Sequence, residues 1–185
     1  ADQGVAKAQT NLGVMYDKGD GVPQDYAEAV KWYRLAADQG YATAQYNLAL
    51  MYRNGEGVPQ DDAEAVKWYR RAADQGVAKA QTNLGVMYDN GEGVPEDDAE
   101  AVRWYRLAAD QGYAKAQSNL GWMYRDGEGI PEDDVQAYAW FNLAAAQGHE
   151  SAKSSKSELV EEMTQSQITE AQKLSKELWE KIQRQ

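Results

Sequence analysis

Apolar residues recur at helical spacing in short segments along the chain. In residues 5–17, the apolar side chains Ala8, Leu12, Met15 and Tyr16 are separated by four, three and one positions, which places them on one face of a helix. We call each such predicted segment helix A. The same stripe returns in the next helix A as Ala44, Leu48, Met51 and Tyr52.

A second predicted helix, helix B, follows each helix A. In its first occurrence, residues 27–38, Asp25 and Glu28 predict a capping box, in which each side chain binds the backbone N–H of the other. The apolar arc of helix B is too wide for one neighbour, so we expect its own helix A and the next repeat to cover it. The arc comprises Ala29, Trp32, Tyr33, Ala36 and Ala37, and the cap pattern recurs at Asp61/Glu64, Asp97/Glu100 and Asp133/Gln136.

Glycine has two separate roles in this pattern. Gly19 and Gly21 can adopt the positive φ that ends helix A, and Pro23 prevents the helix from continuing. Glycines in the middle of helix A cost about 1 kcal/mol each relative to alanine, which predicts a close approach of two helix backbones there. These mid-helix glycines are Gly13, Gly85 and Gly121, with Ala49 at the equivalent position of the second repeat.

The pattern repeats every 36 residues and predicts a tandem array, since a fixed period of this length is the mark of repeat proteins. Thr164 and Gln167 predict a capping box for a last helix, which has a charged face and an apolar stripe at Ile168, Ala171, Leu174, Leu178 and Ile182. We expect this segment to cap a native C-terminus, whereas the N-terminal end is cut open. The predicted boundaries are 1–4 for the end of a preceding repeat, 5–40, 41–76, 77–112 and 113–148 for four repeats, and 149–185 for C-terminal capping helices.

The repeated motif resembles the Sel1-like repeat (SLR), typical of bacterial proteins. In the first repeat it reads Ala8-x-x-x-Leu12-Gly13-x-Met15-Tyr16-x-x-Gly19-x-Gly21-Val22-Pro23-x-Asp25-x-x-x-Ala29-x-x-Trp32-Tyr33-x-x-Ala36-Ala37-x-x-Gly40. The resemblance covers about residues 5–148. It implies an all-α fold, a right-handed α-α superhelix (solenoid) of helix-turn-helix repeats similar to tetratricopeptide arrays. It also implies a non-catalytic adaptor or scaffold, with helix A lining the concave side.

Positions that differ between repeats are candidates for partner recognition, because the invariant positions are explained by packing. In helix A they are spaced by three, four and three residues and form one stripe beside the packing stripe, with an asparagine at its edge. Tyr46 and Trp122 are typical interface anchors, and Leu50 lies one turn from Tyr46. The predicted partner-binding residues are Lys7, Thr10, Asn11, Val14, Asp17, Thr43, Tyr46, Asn47, Leu50, Arg53, Lys79, Thr82, Asn83, Val86, Asp89, Lys115, Ser118, Asn119, Trp122 and Arg125.

Two other interpretations of this stripe stay open. Variable helix positions are often solvated surface under weak constraint. Residues 1–40 and 73–112 differ at only five positions, which indicates a duplicated unit of 72 residues with few partner-specific positions. The stripe charges then alternate as Asp17, Arg53, Asp89 and Arg125, and these could pair between neighbouring helices.

The formal net charge of −11 makes nucleic acids and anionic membrane surfaces unfavourable partners, because an acidic field repels phosphate. No apolar run approaches the ~20 residues of a membrane span. The chain has no cysteine, so the sequence is compatible with the cytoplasm, the periplasm or secretion. We therefore expect a protein or peptide partner.

No residue set predicts catalysis, a cofactor or a metal ion. His149 is the only histidine and is expected at the surface, and the acidic loops lack the spacing of a calcium loop. One alternative function is a structural module that self-associates end to end. Another is an enzyme or binder that acts on cell-wall glycan, to which the pairs Trp32/Tyr33, Trp68/Tyr69, Trp104/Tyr105 and Trp140/Phe141 would contribute, although their apolar neighbours favour a place in the core.

Overall fold

The structure, a computed structural model, describes residues 3–184, which form ten α-helices and no strand. Each helix A and each helix B of the repeats is present, and two more helices follow. The helices are α1 (Gln3–Lys18), α2 (Tyr26–Asp38), α3 (Ala42–Asn54), α4 (Asp62–Asp74), α5 (Ala78–Asn90), α6 (Asp98–Asp110), α7 (Ala114–Asp126), α8 (Asp134–Ala146), α9 (Glu150–Glu162) and α10 (Gln165–Gln183).

The chain divides into two compact units, residues 1–96 and 97–185. In the first unit, α1 packs against α2, α2 against α3, α3 against α4 and α4 against α5. The helix B segments α2 and α4 therefore each lie between their own helix A and the next one, as the width of the apolar arc predicts. Their aromatic residues Tyr33 and Tyr69 are buried in this core.

In the second unit, α8 is the central helix. It packs against α7, α9 and α10, while α6 packs against α7. Helix α8 can take three neighbours because its outward positions have lost charge: Lys31 of the first repeat corresponds to Ala139, and Asp38 to Ala146. A helix that is apolar all round is stable only when it is covered all round. Helix α10 therefore lies along α8, while α9 takes the helix A position and buries only Ala152, Ser155 and Leu159 among its own residues.

The N-caps of helix B form as predicted. The predicted reciprocal hydrogen bond, from the N–H of the cap residue to the side chain three residues on, is wrong. Asp25 Oδ1 accepts a hydrogen bond from the Glu28 N–H at 3.0 Å. The Asp25 N–H, however, donates to the carbonyl of Tyr16 at 2.9 Å, and the Glu28 carboxylate pairs with Lys31. The cap N–H already has a partner in the last turn of helix A, so the glutamate binds the basic residue one turn along. The complete capping box predicted for Thr164 and Gln167 is confirmed.

Gly13 and Gly121 lie where helix A closely approaches its helix B, but they face an aromatic ring of helix B and not, as the sequence predicts, its backbone. A Cβ built on Gly13 would lie 2.6 Å from Cδ1 of Tyr33, and one on Gly121 would lie 2.7 Å from Cδ1 of Phe141. In the turns that follow α3, α5 and α7, the second glycine faces the backbone of the preceding helix B. Gly57 has a φ of +70°, and a Cβ built on it would lie 2.3 Å from the carbonyl oxygen of Tyr26.

Candidate partner-binding surface

The twenty predicted partner-binding residues lie on one side of each helix A, which we call the helix-A surface. In the first unit it is formed by α1, α3 and α5, and in the second by α7. The first variable position of each helix A forms a row at the margin of this surface, and its residue is exposed in every repeat. Three of these four residues are lysines, and the row comprises Lys7, Thr43, Lys79 and Lys115. The helix-A surface therefore has a basic margin on a chain of net charge −11.

The row that begins at Thr10 is mostly buried. Thr10, Thr82 and Ser118 are buried, whereas Tyr46 is half-buried. The Thr10 hydroxyl donates to the carbonyl of Ala6 at 2.8 Å, and the Thr82 hydroxyl to that of Ala78 at 2.8 Å. A hydroxyl that bonds back to its own helix is satisfied without a partner. In this row, Tyr46 is the side chain that presents accessible area.

The asparagine row faces the tyrosines of helix B. Asn47 interacts with the Tyr33 hydroxyl and Asn83 with the Tyr69 hydroxyl, and both interactions lower the pKa of the tyrosine. Where the tyrosine position becomes Phe141, which has no hydroxyl, the position of the following asparagine becomes Ser155. Ser155 bonds instead to the carbonyl of Ser151, at 2.9 Å. That paired change is a signal in the sequence, and it points to a structural role for the asparagine.

Burial dominates the chemistry of these tyrosines. It raises the pKa of Tyr69 to about 12, an effect that Asn83 and Arg53 partly offset. It also raises the pKa of Tyr33, and there the carboxylate of Asp17 adds to the rise. Asp17 accepts a hydrogen bond from the Tyr33 hydroxyl at 3.1 Å. Both phenols are therefore neutral throughout the physiological pH range, and the Tyr33 hydroxyl is a hydrogen-bond donor.

The apolar row of the helix-A surface is accessible. Val14, Leu50 and Val86 are half-buried, and Trp122 is 36% exposed. Trp122 stands edge-on to Phe141, with ring centroids 5.5 Å apart and an interplanar angle of 75°. In the first unit, Tyr46 packs on Tyr69 with centroids 5.9 Å apart. These contacts place half-buried Tyr46 and exposed Trp122 against aromatic rings of helix B.

Both arginines of the charged row lie near glutamates that are outside that row. Arg53 forms an ion pair with Glu92, 2.8 Å away in the turn after α5. Arg125 faces Glu158 at 3.4 Å and Glu162 at 3.7 Å, both on α9. Each arginine therefore meets carboxylates from the following turn or helix.

A glutamine network that the sequence analysis missed connects the repeats. The side chain of buried Gln45 donates to the carbonyl of Ala37 at 3.1 Å and accepts a hydrogen bond from Gln75 at 2.7 Å. Gln117 repeats the pattern, with the carbonyl of Ala109 at 3.2 Å and Gln147 at 2.8 Å. The recurrence of glutamine at both positions in each repeat was the available signal, because a buried amide is retained only where it is bonded.

The tryptophans of the Trp-aromatic pairs lie in the core. Trp68, Trp104 and Trp140 are buried, Trp32 is half-buried, and Phe141 is buried as well. His149 caps α9, where its ring nitrogen accepts from the N–H of Ala152 at 3.4 Å. Within residues 3–184 no group of three or more His, Asp or Glu side chains is placed to hold a metal ion. Over the same residues, no helix combines the length and apolarity needed to cross a membrane.

These features define an all-α protein of tandem helix-turn-helix repeats, which confirms the predicted solenoid class. The pattern of the Sel1 repeat family matches residues 6–41, 42–77, 78–113 and 114–149. The chain belongs to the Sel1 repeat family. Sel1-repeat proteins are generally non-catalytic scaffolds that mediate protein–protein interactions. A comparison with curated proteins gives no significant match.

Solved structures of several bacterial proteins are similar to this chain. The first is a protective antigen present in uropathogenic Escherichia coli strains, which displays an SLR fold; it shares 50% identity and a TM-score of 0.78 over 80% of this chain and 32% of its own. The second is a Sel1 repeat protein from Oxalobacter formigenes, with 38% identity and a TM-score of 0.79 over 83% of this chain and 63% of its own. A protein from Klebsiella pneumoniae, at 24% identity and a TM-score of 0.53 over 85% of this chain and 79% of its own, shares the fold. The chain thus spans less than two thirds of the first two proteins.

Proposed function

We propose that this chain is a non-catalytic scaffold that binds a peptide or protein partner on the helix-A surface. The observation that supports this proposal most is Trp122, an indole 36% exposed on a helix whose other large apolar residues, Leu120 and Met123, are buried. Burial of a large apolar side chain is favourable, and tryptophan is enriched at the energetic centres of interfaces. Tyr46 presents a second aromatic ring on the same surface of the first unit.

The proposed binding surface contains fewer residues than the sequence predicts, because some of the predicted residues are buried or already bound. Thr10, Thr82 and Ser118 are inaccessible in the folded chain, and Asn47 and Asn83 already interact with tyrosines. The proposed contacts are the exposed margin, the apolar row and the arginines. The margin comprises Lys7, Thr43, Lys79 and Lys115. The apolar row comprises Val14, Leu50, Val86 and Trp122, to which Tyr46 of the neighbouring row is added, and the arginines are Arg53 and Arg125.

A pull-down with the double variant Tyr46→Ala and Trp122→Ala tests this proposal. We expect the variant to lose the partners that the parent chain captures, with its helical circular dichroism unchanged. The matched control is Tyr26→Ala with Trp179→Ala, which removes a tyrosine of the first unit and a tryptophan of the second that are also exposed but lie outside the helix-A surface. Equal capture by the parent and the Tyr46/Trp122 variant would refute the assignment of the surface.

A further inference from the structure

The second and fourth repeats differ from the first and third at the same two positions of the helix-A surface. Valine and aspartate stand at these positions in the odd repeats. In the even repeats they are a larger apolar residue and an arginine, namely Leu50 with Arg53 and Trp122 with Arg125. Each of the two compact units therefore contains one pair that joins an apolar side chain to a guanidinium.

The pair in the second unit is held in place before any partner arrives. The guanidinium of Arg125 lies over the Trp122 ring, 5.1 Å from its centroid, and the indole rests edge-on against buried Phe141. Such stacking is a favourable cation–π contact. Because both side chains are already ordered, binding costs less conformational entropy there than at a mobile surface arginine.

The acidic partners of Arg125 within the chain are weak ones. Its contacts to Glu158 and Glu162 are 3.4 and 3.7 Å long, and the glutamate side chains are 61% and 64% exposed, whereas that of Arg125 is 20% exposed. Exposed ion pairs of this kind contribute little. A guanidinium presents a planar fork that matches both oxygens of one carboxylate, a geometry that two distant glutamates do not supply.

The first unit shows the same arrangement with a closer internal carboxylate. Arg53 lies 2.8 Å from Glu92, and half-buried Leu50 is the apolar member of the pair. The exposed lysines Lys7 and Lys79 line the margin of the helix-A surface in this unit. Asp17 and Asp89 belong to the same surface, so the guanidinium of Arg53, and not the net charge of the surface, is the group that favours a carboxylate there.

We propose that the helix-A surface recognises an acidic peptide segment in which a carboxylate lies next to an apolar side chain. The partner's carboxylate takes the fork of Arg125 in place of Glu158 and Glu162, and its apolar side chain packs on Trp122. Arg53 and Leu50 do the same in the first unit. This inference rests on the proposed function and specifies the chemistry of the partner.

The test is a titration of the ¹⁵N-labelled chain with three hexapeptides, followed by nuclear magnetic resonance. Leucine alternates with aspartate in the first peptide, with asparagine in the second and with lysine in the third. The reporter is the indole N–H signal of Trp122, assigned with Trp122→Phe, and the exposed Trp179 on α10 is the internal control. We expect the aspartate peptide to shift the Trp122 signal at roughly tenfold lower concentration than the asparagine peptide, since a charge-assisted bidentate contact is lost.

Two variants with opposite expected effects identify the guanidinium as the group that donates to the partner's carboxylate. Arg125→Gln should remove the preference for aspartate over asparagine. Glu158→Gln with Glu162→Gln should strengthen binding of the aspartate peptide a few-fold, because the competing internal carboxylates are gone. Lys153→Gln, an exposed residue of α9 with the same change of charge as Arg125→Gln, should leave binding unchanged.

The outcomes separate this inference from the proposed function. If the lysine peptide shifts the Trp122 signal most, the helix-A surface still binds peptides but the acidic chemistry is wrong. If no peptide shifts that signal while the Tyr46/Trp122 variant still loses its partners in the pull-down, the inference is overturned and the function stands. Equal responses to the aspartate and asparagine peptides also overturn it.

Discussion

The Tyr33 hydroxyl on α2 donates a hydrogen bond to Asp17 Oδ2 on α1, 3.1 Å away. The same hydroxyl interacts with Asn47 of the next repeat. One phenol thus links its own hairpin to the following one. Residues that look like a variable recognition stripe in the sequence therefore include some that hold the stack together.

Loss of this hydroxyl should make Asn47 dispensable. We expect Tyr33→Phe to lower the free energy of unfolding by about 1 kcal/mol, the usual contribution of one such hydrogen bond. Asn47→Ser should cost a similar amount alone but little more in the Tyr33→Phe background, because Phe141 and Ser155 already form that combination. Urea denaturation of the four chains of this double-mutant cycle measures the coupling. Additive losses would contradict a direct interaction.

Buried tyrosines should make the fold sensitive to alkaline pH. The pKa of Tyr69 is raised from 10.0 to about 12, so the fold stabilises its neutral form. This contribution is complete below pH 10 and disappears as the pH rises through 12. Over that interval the free energy of unfolding should fall by about 1.4 kcal/mol per pH unit for this residue.

Denaturant titrations at pH 9, 10 and 11 measure the slope of the free energy of unfolding against pH. An unperturbed tyrosine ionises over roughly this pH range. Tyr69→Phe should make the slope shallower, because one group no longer ionises on unfolding. Tyr26→Phe, at an exposed position of the same unit, is the control and should leave the slope unchanged. A slope that is the same in the parent and in Tyr69→Phe would rule out the predicted linkage.

Two glycines of the first unit should respond very differently to alanine. Gly57 and Gly76 both have positive φ, +70° and +85°, so either substitution strains the backbone by about 1–2 kcal/mol. A Cβ on Gly76 has no other atom within 4 Å, whereas one on Gly57 would lie 2.3 Å from the carbonyl oxygen of Tyr26. We therefore expect Gly57→Ala to cost at least about 1–3 kcal/mol more than Gly76→Ala in thermal unfolding. Equal losses would show that the turn moves freely away from α2.

A charge on α8 should detach α10. Leu143 is 3% exposed and lies on α8, against which α10 packs, while the equivalent Leu107 on α6 is 42% exposed. We expect Leu143→Arg to destabilise the second unit by at least about 2 kcal/mol, because a charge buried without a partner is costly. It should also open the lysines of α10 to trypsin. Leu107→Arg is the control and should change neither property, since Arg71 occupies this position in the second repeat.

Local sequence accounts for most of the secondary structure. Apolar spacing, the aspartate caps and the glycine turns predict every helix of the repeats, and Gly13 and Gly121 predict a close approach of helices, although the group that they face is a ring and not a backbone. The predicted reciprocal capping boxes of the repeats were wrong. In the first repeat, Lys31 competes for the Glu28 carboxylate, and the Asp25 N–H already donates to the carbonyl of Tyr16. Both competitors lie outside the four-residue pattern on which that prediction depends.

The candidate surface was less predictable than the fold. Variation between repeats does not tell whether a side chain is accessible, and Thr82 proved to be buried beside accessible Tyr46. The substitution of Phe141 together with Ser155 could have identified the structural role of the asparagines. The uncharged residues Ala139 and Ala146 of α8 could have indicated that another helix packs against it.

The sequence by itself determined the 36-residue period, the helices, their caps and turns, because these depend on residues close together in the chain. Only the tertiary structure decided that α10 lies along α8 and that Asn47 interacts with the Tyr33 hydroxyl. It also decided that Arg125 is stacked on Trp122 and faces α9. These relationships arise between side chains of different helices, and the packing that burial drives brings them together. Local periodicity places residues on a face of a helix, but what that face meets depends on the neighbour that covers it.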